Sequence, residues 1–88
     1  MQTIHKFPVL TDGSMPDLRP GPILHIGLDP ESRMPAFWVL CDDQDDANVP
    51  APYVMVGTGY EIPPEAGPFV ATVTGVRGPL VFHFFHRL

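Results

Sequence analysis

The sequence predicts an all-β fold, a small antiparallel β-barrel or sandwich of about six short strands. The first observation behind this is the spread of 12 prolines and 8 glycines through 88 residues. A proline inside a helix costs ~3 kcal/mol and a glycine ~1 kcal/mol relative to alanine. The longest stretch free of both, Ala36 to Val49, spends half its length around the acidic run Asp42-Asp43-Gln44-Asp45-Asp46, and no ordinary three-turn helix fits elsewhere. The second observation is Trp38, six phenylalanines and recurrent β-branched residues, which argue against disorder. The third is the alternation in the final segment, Gly78 to Leu88. Leu80, Phe82, Phe84, His86 and Leu88 fall on one face, and Val81, His83, Phe85 and Arg87 on the other. The first face is nearly all apolar and calls for a core. The second mixes apolar and basic groups, as a surface meeting water, a partner or a ligand does.

Taken in order, Thr3 to Phe7 reads as a strand with Thr3, His5 and Phe7 on one face and Ile4 and Lys6 on the other; Pro8 suits a strand end or sheet edge. Residues 11–22 hold Gly13, Pro16, Pro20, Gly21 and Pro22 and read as an extended loop or a poorly paired edge segment. Ile23 to Leu28 is a second strand with Leu24, Ile26 and Leu28 inward and His25 opposite, closed by the turn Asp29-Pro30-Glu31-Ser32. Ala36 to Cys41 is apolar on both faces, so it is either central in a two-layer fold or half-covered by another subunit. The acidic run ends it by solvation. Its spacing departs from a calcium loop and reads as a hairpin tip. Pro52 to Thr58 forms a fourth strand running into Gly57-Thr58-Gly59-Tyr60. After the rigid turn Pro63 to Gly67, Pro68 to Gly75 is a fifth, with Phe69, Ala71 and Val73 facing opposite to Val70, Thr72 and Thr74. Gly75 to Pro79 turns into the last strand. No internal sequence repeat is present.

Residues 1–88 form one domain, with no room for a second core. A chain this short has a modest core, and self-association is a common remedy. The formal charge of −5, with only five scattered Lys and Arg, argues against binding duplex nucleic acid. Apolar runs are too short for a membrane span, and nothing resembles a signal peptide. The single Cys41 excludes an internal disulfide, reads as a buried thiol and fits a reducing cytoplasm.

Candidate chemistry is sparse. His83 and His86 are three residues apart on a strand, so they point to opposite faces and cannot chelate one metal together. No metal site, cofactor motif or catalytic constellation is indicated, and Ser14 and Ser32 lie in turn-rich loops. Gly57-Thr58-Gly59-Tyr60 is the most suggestive loop. Its glycines let backbone N–H groups approach an anion or carbonyl, and Tyr60 can stack on a planar group. It lacks the lysine and following helix of a P-loop. Trp38 or Phe37, together with Phe85, cannot all enter one small core, so the surplus aromatic face is expected to serve a homo-oligomer interface or a ligand platform. Candidate ligand- or partner-binding residues are therefore Trp38, Gly57, Thr58, Gly59, Tyr60, His83, Phe85, His86 and Arg87. A site built from them is expected between subunits.

His5-Lys6-Phe7-Pro8, Leu24-His25-Ile26-Gly27, Phe37-Trp38-Val39-Leu40, Val56-Gly57-Thr58-Gly59, the strand at Phe69-Val70-Ala71-Thr72-Val73 and the ending Leu80-Val81-Phe82-His83-Phe84-Phe85 form a pattern across nearly the whole chain. It resembles a family of small uncharacterised bacteriophage and prophage proteins, a domain of unknown function. The sequence departs from that family at Tyr60, where histidine is usual, and after Phe85, where an acidic residue usually closes the chain. The resemblance implies an accessory phage protein acting in the host bacterial cytoplasm. It transfers no catalytic residue. The expected function is a non-enzymatic one: antagonism of a bacterial defence system, by sequestering a nucleotide signal as an oligomeric sponge or by occupying a host protein. The alternatives are a structural or assembly accessory of the phage particle, and a small nucleotide-directed enzyme with His83 or His86 as base.

Overall fold

The computed structural model describes residues 1–88 and contains strands and turns without a helix. Eight strands follow in order: β1 (Gln2–Pro8), β2 (Asp17–Leu18), β3 (Ile23–Leu28), β4 (Pro35–Asp42), β5 (Val49–Pro50), β6 (Tyr53–Gly57), β7 (Ala66–Val76) and β8 (Leu80–Arg87). They form three antiparallel sheets with strand orders β1-β4-β3, β2-β5 and β6-β8-β7. The two three-stranded sheets pack face to face and no barrel closes. The expected six strands become eight because the proline-rich segment at 11–22 contributes a two-residue strand that pairs with Val49–Pro50.

Strand β4 is central because both its faces are apolar. Phe37, Val39 and Cys41 are buried inward, while Trp38 and Leu40 are half-buried on the outer face. Its counterpart β8 sends Phe84 inward. The Phe37 and Phe84 rings meet edge to face at 5.5 Å between centroids, and Phe37 also stacks on Tyr53 at 5.4 Å. Leu18, Val9, Val73 and Val76 complete the core. The expected core face of the last strand is therefore only partly used. Phe82 and Phe84 pack inward, whereas Leu80, His86 and Leu88 are exposed.

Two further expectations about facing are corrected, both by bulges. Leu24 is 51% exposed rather than inward, since the register shifts between Ile23 and His25 and turns Ile23 to the core instead. Phe69 does not share the face of Val73. Register shifts on either side of it leave it exposed, where it meets Phe85 edge to face at 5.8 Å.

The sheets share one topology. In each, the first strand leads through an excursion into a hairpin, and the hairpin's second strand inserts in the middle. β1 and β3 thus run parallel on either side of β4, and β6 and β7 parallel on either side of β8. Residues 58–65 must consequently travel back along the length of the second sheet.

One buried charge anchors the first sheet. Asp29, 2% exposed, accepts a hydrogen bond from Lys6 Nζ on Oδ1 at 2.9 Å. It also accepts from the Glu31 N–H at 3.2 Å and, on Oδ2, from the Ser32 hydroxyl at 2.7 Å. Burial by itself would raise its pKa, but these donors outweigh it and bring the carboxyl down to about 2. The Asp29 hydrogen bond in turn raises the Lys6 pKa.

Candidate functional site

Strand β6 ends at Gly57, and the next three residues form a tight turn. The Tyr60 N–H donates to the Gly57 carbonyl at 3.1 Å, and the Thr58 N–H donates to the Val81 carbonyl at 3.2 Å. Gly59 has φ +91°, the left-handed conformation required at the third position of a type II turn. Gly57 is needed for a different reason: a Cβ there would lie 3.0 Å from Tyr60 Cδ2. The Tyr60 ring folds back over that space and still remains 78% exposed.

Alternation on β8 puts His83 and Phe85 on the outer face of the second sheet, opposite Val56 and Val54 on β6. These two valines are only 7% exposed, although they lie outside the central core cluster. The imidazole of His83 is held from both sides. Nε2 lies 2.8 Å from Thr58 Oγ1 and Nδ1 lies 2.9 Å from Thr72 Oγ1. In the neutral ring one nitrogen donates and the other accepts, and a threonine hydroxyl serves either role.

An open groove of about 290 Å³ lies among the turn, Ile62, His83 and Phe85. A second, of about 450 Å³, runs along Pro79 to Phe82. Tyr60 borders both. No Asp, Glu, Lys or Arg lines either groove, in a chain with ten acidic residues. The grooves present hydroxyls and aromatic faces, while both His83 nitrogens and the Thr58 and Tyr60 N–H groups are already bonded within the protein.

Of the residues singled out from sequence, Gly57, Thr58, Gly59, Tyr60, His83 and Phe85 come together around the smaller groove. Trp38 does not join them. It occupies the outer face of the other sheet, across from Lys6 and His25, with the His25 ring 5.3 Å away. His86 faces away from His83, as the strand period requires, and stacks on Tyr53 at 5.4 Å. Burial raises the Tyr53 pKa. Arg87 is exposed at the end of β8, outside both grooves. The residues missed from sequence are Thr72 and Ile62. Thr72 had a usable signal: the turn at 75–79 makes β7 and β8 a hairpin, and its register sets Thr72 opposite His83. No group of three His, Cys, Asp or Glu side chains converges to hold a metal ion.

The architecture and site define a class: a small two-sheet antiparallel β protein with an uncharged, aromatic-bordered groove on one outer face. A family model described as a domain of unknown function (DUF7352) matches residues 1–88, and the chain belongs to that family. Searches of curated proteins and of solved structures give no match.

Proposed function

We propose that this protein works by binding rather than by catalysis, and that its ligand enters the groove between the Gly57–Tyr60 turn and His83. The observation that carries this is the double restraint of His83 by Thr58 and Thr72 beside Phe85 and Tyr60. Two threonine hydroxyls fixed by the imidazole, with lone pairs to spare beside aromatic faces, suit a flat heteroaromatic group, such as the base of a nucleotide, with its phosphates left in solvent. Base–aromatic stacking is worth roughly 1–3 kcal/mol per base. In the accessory phage setting implied by the family resemblance, the protein antagonises a bacterial defence system, sequestering a nucleotide signal as a homo-oligomer or occupying a host protein. The exposed aromatic and aliphatic groups Tyr60, Ile62, Phe69 and Leu80 supply surface for such contacts.

A second reading is favoured by one distance. The Thr58 hydroxyl lies within hydrogen-bond reach of His83 Nε2, as a nucleophile and its base do. Against it, Thr72 rather than a carboxylate contacts Nδ1, so no anion stabilises an imidazolium. One experiment separates the two. The purified protein is incubated with mono- and cyclic dinucleotides, denatured, and the released small molecules are weighed by mass spectrometry. Intact ligand recovered in proportion to protein supports binding. A converted ligand supports the enzyme, and recovery of nothing from any nucleotide, with none bound by calorimetry, rejects the nucleotide reading.

A further inference from the structure

A different groove, of about 250 Å³, opens at the end of the sandwich between the Thr11–Gly13 turn and Arg77. Its floor is apolar, made by Met34, Met55, Val76, Leu80 and Phe82. Its two charged lining groups carry opposite signs, Arg77 on one side and Asp12 on the other. They do not pair with each other, and no carboxylate lies within 4.0 Å of the Arg77 guanidinium.

Each of these groups is held in place while keeping its outer atoms free. Arg77 Nε donates to Met34 Sδ at 3.3 Å, which rests the guanidinium against the floor and leaves its Nη groups without a protein acceptor. On Asp12, Oδ1 accepts both the Ser14 hydroxyl at 2.6 Å and the Ser14 N–H at 2.9 Å. Oδ2 takes no bond. The same two donors hold the Asp12 carboxyl below the usual carboxylate range, so it is ionised at neutral pH.

The backbone beneath Arg77 adds an independent sign. Arg77 has φ +44° and Arg33, whose carbonyl accepts the Arg77 N–H at 3.2 Å, has φ +62°. Glycine adopts this conformation freely, whereas a long side chain adopts it at a cost. The turn geometry therefore gives no reason for an arginine at 77. Its side chain does.

A cation and an anion facing one apolar floor match the three parts of a small zwitterion. We infer that this groove binds a free apolar α-amino acid. Its carboxylate meets the Arg77 Nη groups, its ammonium meets Asp12 Oδ2, and its side chain lies over Leu80, Met55 and Phe82, the floor residues that keep accessible surface. A nucleotide is disfavoured here by Asp12, and a simple amine by Arg77. The site shares no charged group with the His83 groove, so the failure of either proposal leaves the other standing.

Titration of the isotope-labelled protein with L-leucine, L-methionine and L-phenylalanine at millimolar concentration tests the inference by amide chemical shifts. At least one amino acid is expected to move the resonances of Thr11 to Gly13, Met34, Arg77 and Leu80 while leaving Thr58 to Tyr60 in place. Isocaproate and isoamylamine, which lack the ammonium and the carboxylate respectively, should each bind at least about tenfold more weakly than leucine, a loss of one charged contact. Arg77→Gly suits the local backbone, so it should abolish binding with the melting temperature unchanged or raised. Asp12→Asn should weaken leucine and spare isocaproate. The inference is overturned if none of the amino acids shifts these resonances, if isocaproate binds as tightly as leucine, or if Arg77→Gly binds like the parent protein.

Discussion

Thr58 Oγ1 and His83 Nε2, separated by 25 residues in sequence, lie 2.8 Å apart. The contact ties the turn after β6 to the central strand of the second sheet, and Thr72 completes it from the β7 side. Replacing His83 with Ala removes a half-buried ring from an outer face rather than from the core. Its expected cost in stability is therefore below ~1 kcal/mol. Affinity for the groove's ligand should fall by at least about tenfold, or 1.4 kcal/mol. Urea unfolding and calorimetry on the same samples read the two quantities separately.

Gly57→Ala probes the Tyr60 ring. The new methyl would sit 3.0 Å from Tyr60 Cδ2, tighter than ordinary van der Waals contact, and the exposed ring must swing aside by a few tenths of an ångström. Ligand affinity should drop several-fold, roughly 1 kcal/mol, with a smaller change in stability. Changed chemical shifts of the Tyr60 ring protons would report the swing. Unchanged shifts would show that the ring does not depend on that space.

Phe84→Ala should be the most damaging of the β8 substitutions, at ~3–5 kcal/mol. Phe84 is fully buried against Phe37, while Phe85 meets Phe69 on the outer face. Phe85→Ala should cost clearly less. Denaturant midpoints of the two variants, compared at equal slope, decide the order.

Asp29 makes stability depend on acid. Its folded pKa of about 2 lies below the ordinary 3.8, so the folded state favours the ionised form. That contribution, on the order of 2 kcal/mol, is fully present above about pH 4 and is lost as the pH falls toward 2. Asp29→Asn should therefore lower stability near neutrality, and the gap to the parent protein should narrow in acid. Thermal unfolding of both proteins across that range measures it. A gap that stays constant would mean that packing, not charge, is what Asp29 supplies.

Much of this architecture was legible in the residues because the determinants are local. Proline and glycine forbid long helices wherever they occur, and Ala36 to Cys41 is apolar on both faces whatever surrounds it, so its central place in a sheet could be expected. What escaped was set by pairing between distant strands. Leu24 and Phe69 follow the simple alternation on paper, but bulges opposite Trp38 and Phe85 reverse them. The half of the site on Gly57 to Tyr60, His83 and Phe85 was visible from residue type. That Trp38 would face the other way, and that Thr72 would hold the second imidazole nitrogen, depended on which sheet each strand joined.

The middle strand of each sheet is the latest of its trio in the chain: β4 after β1 and β3, and β8 after β6 and β7. During synthesis the first sheet has all its members once Asp42 has emerged, whereas β6 and β7 must wait for Arg87 with no backbone partner between them. For that interval the groove does not exist, since His83 arrives with the strand that assembles its surroundings. An intermediate in which β8 has not yet paired would have every strand of the first sheet but not Phe84, the ring that Phe37 packs against, so both the shared core and the groove await the same strand.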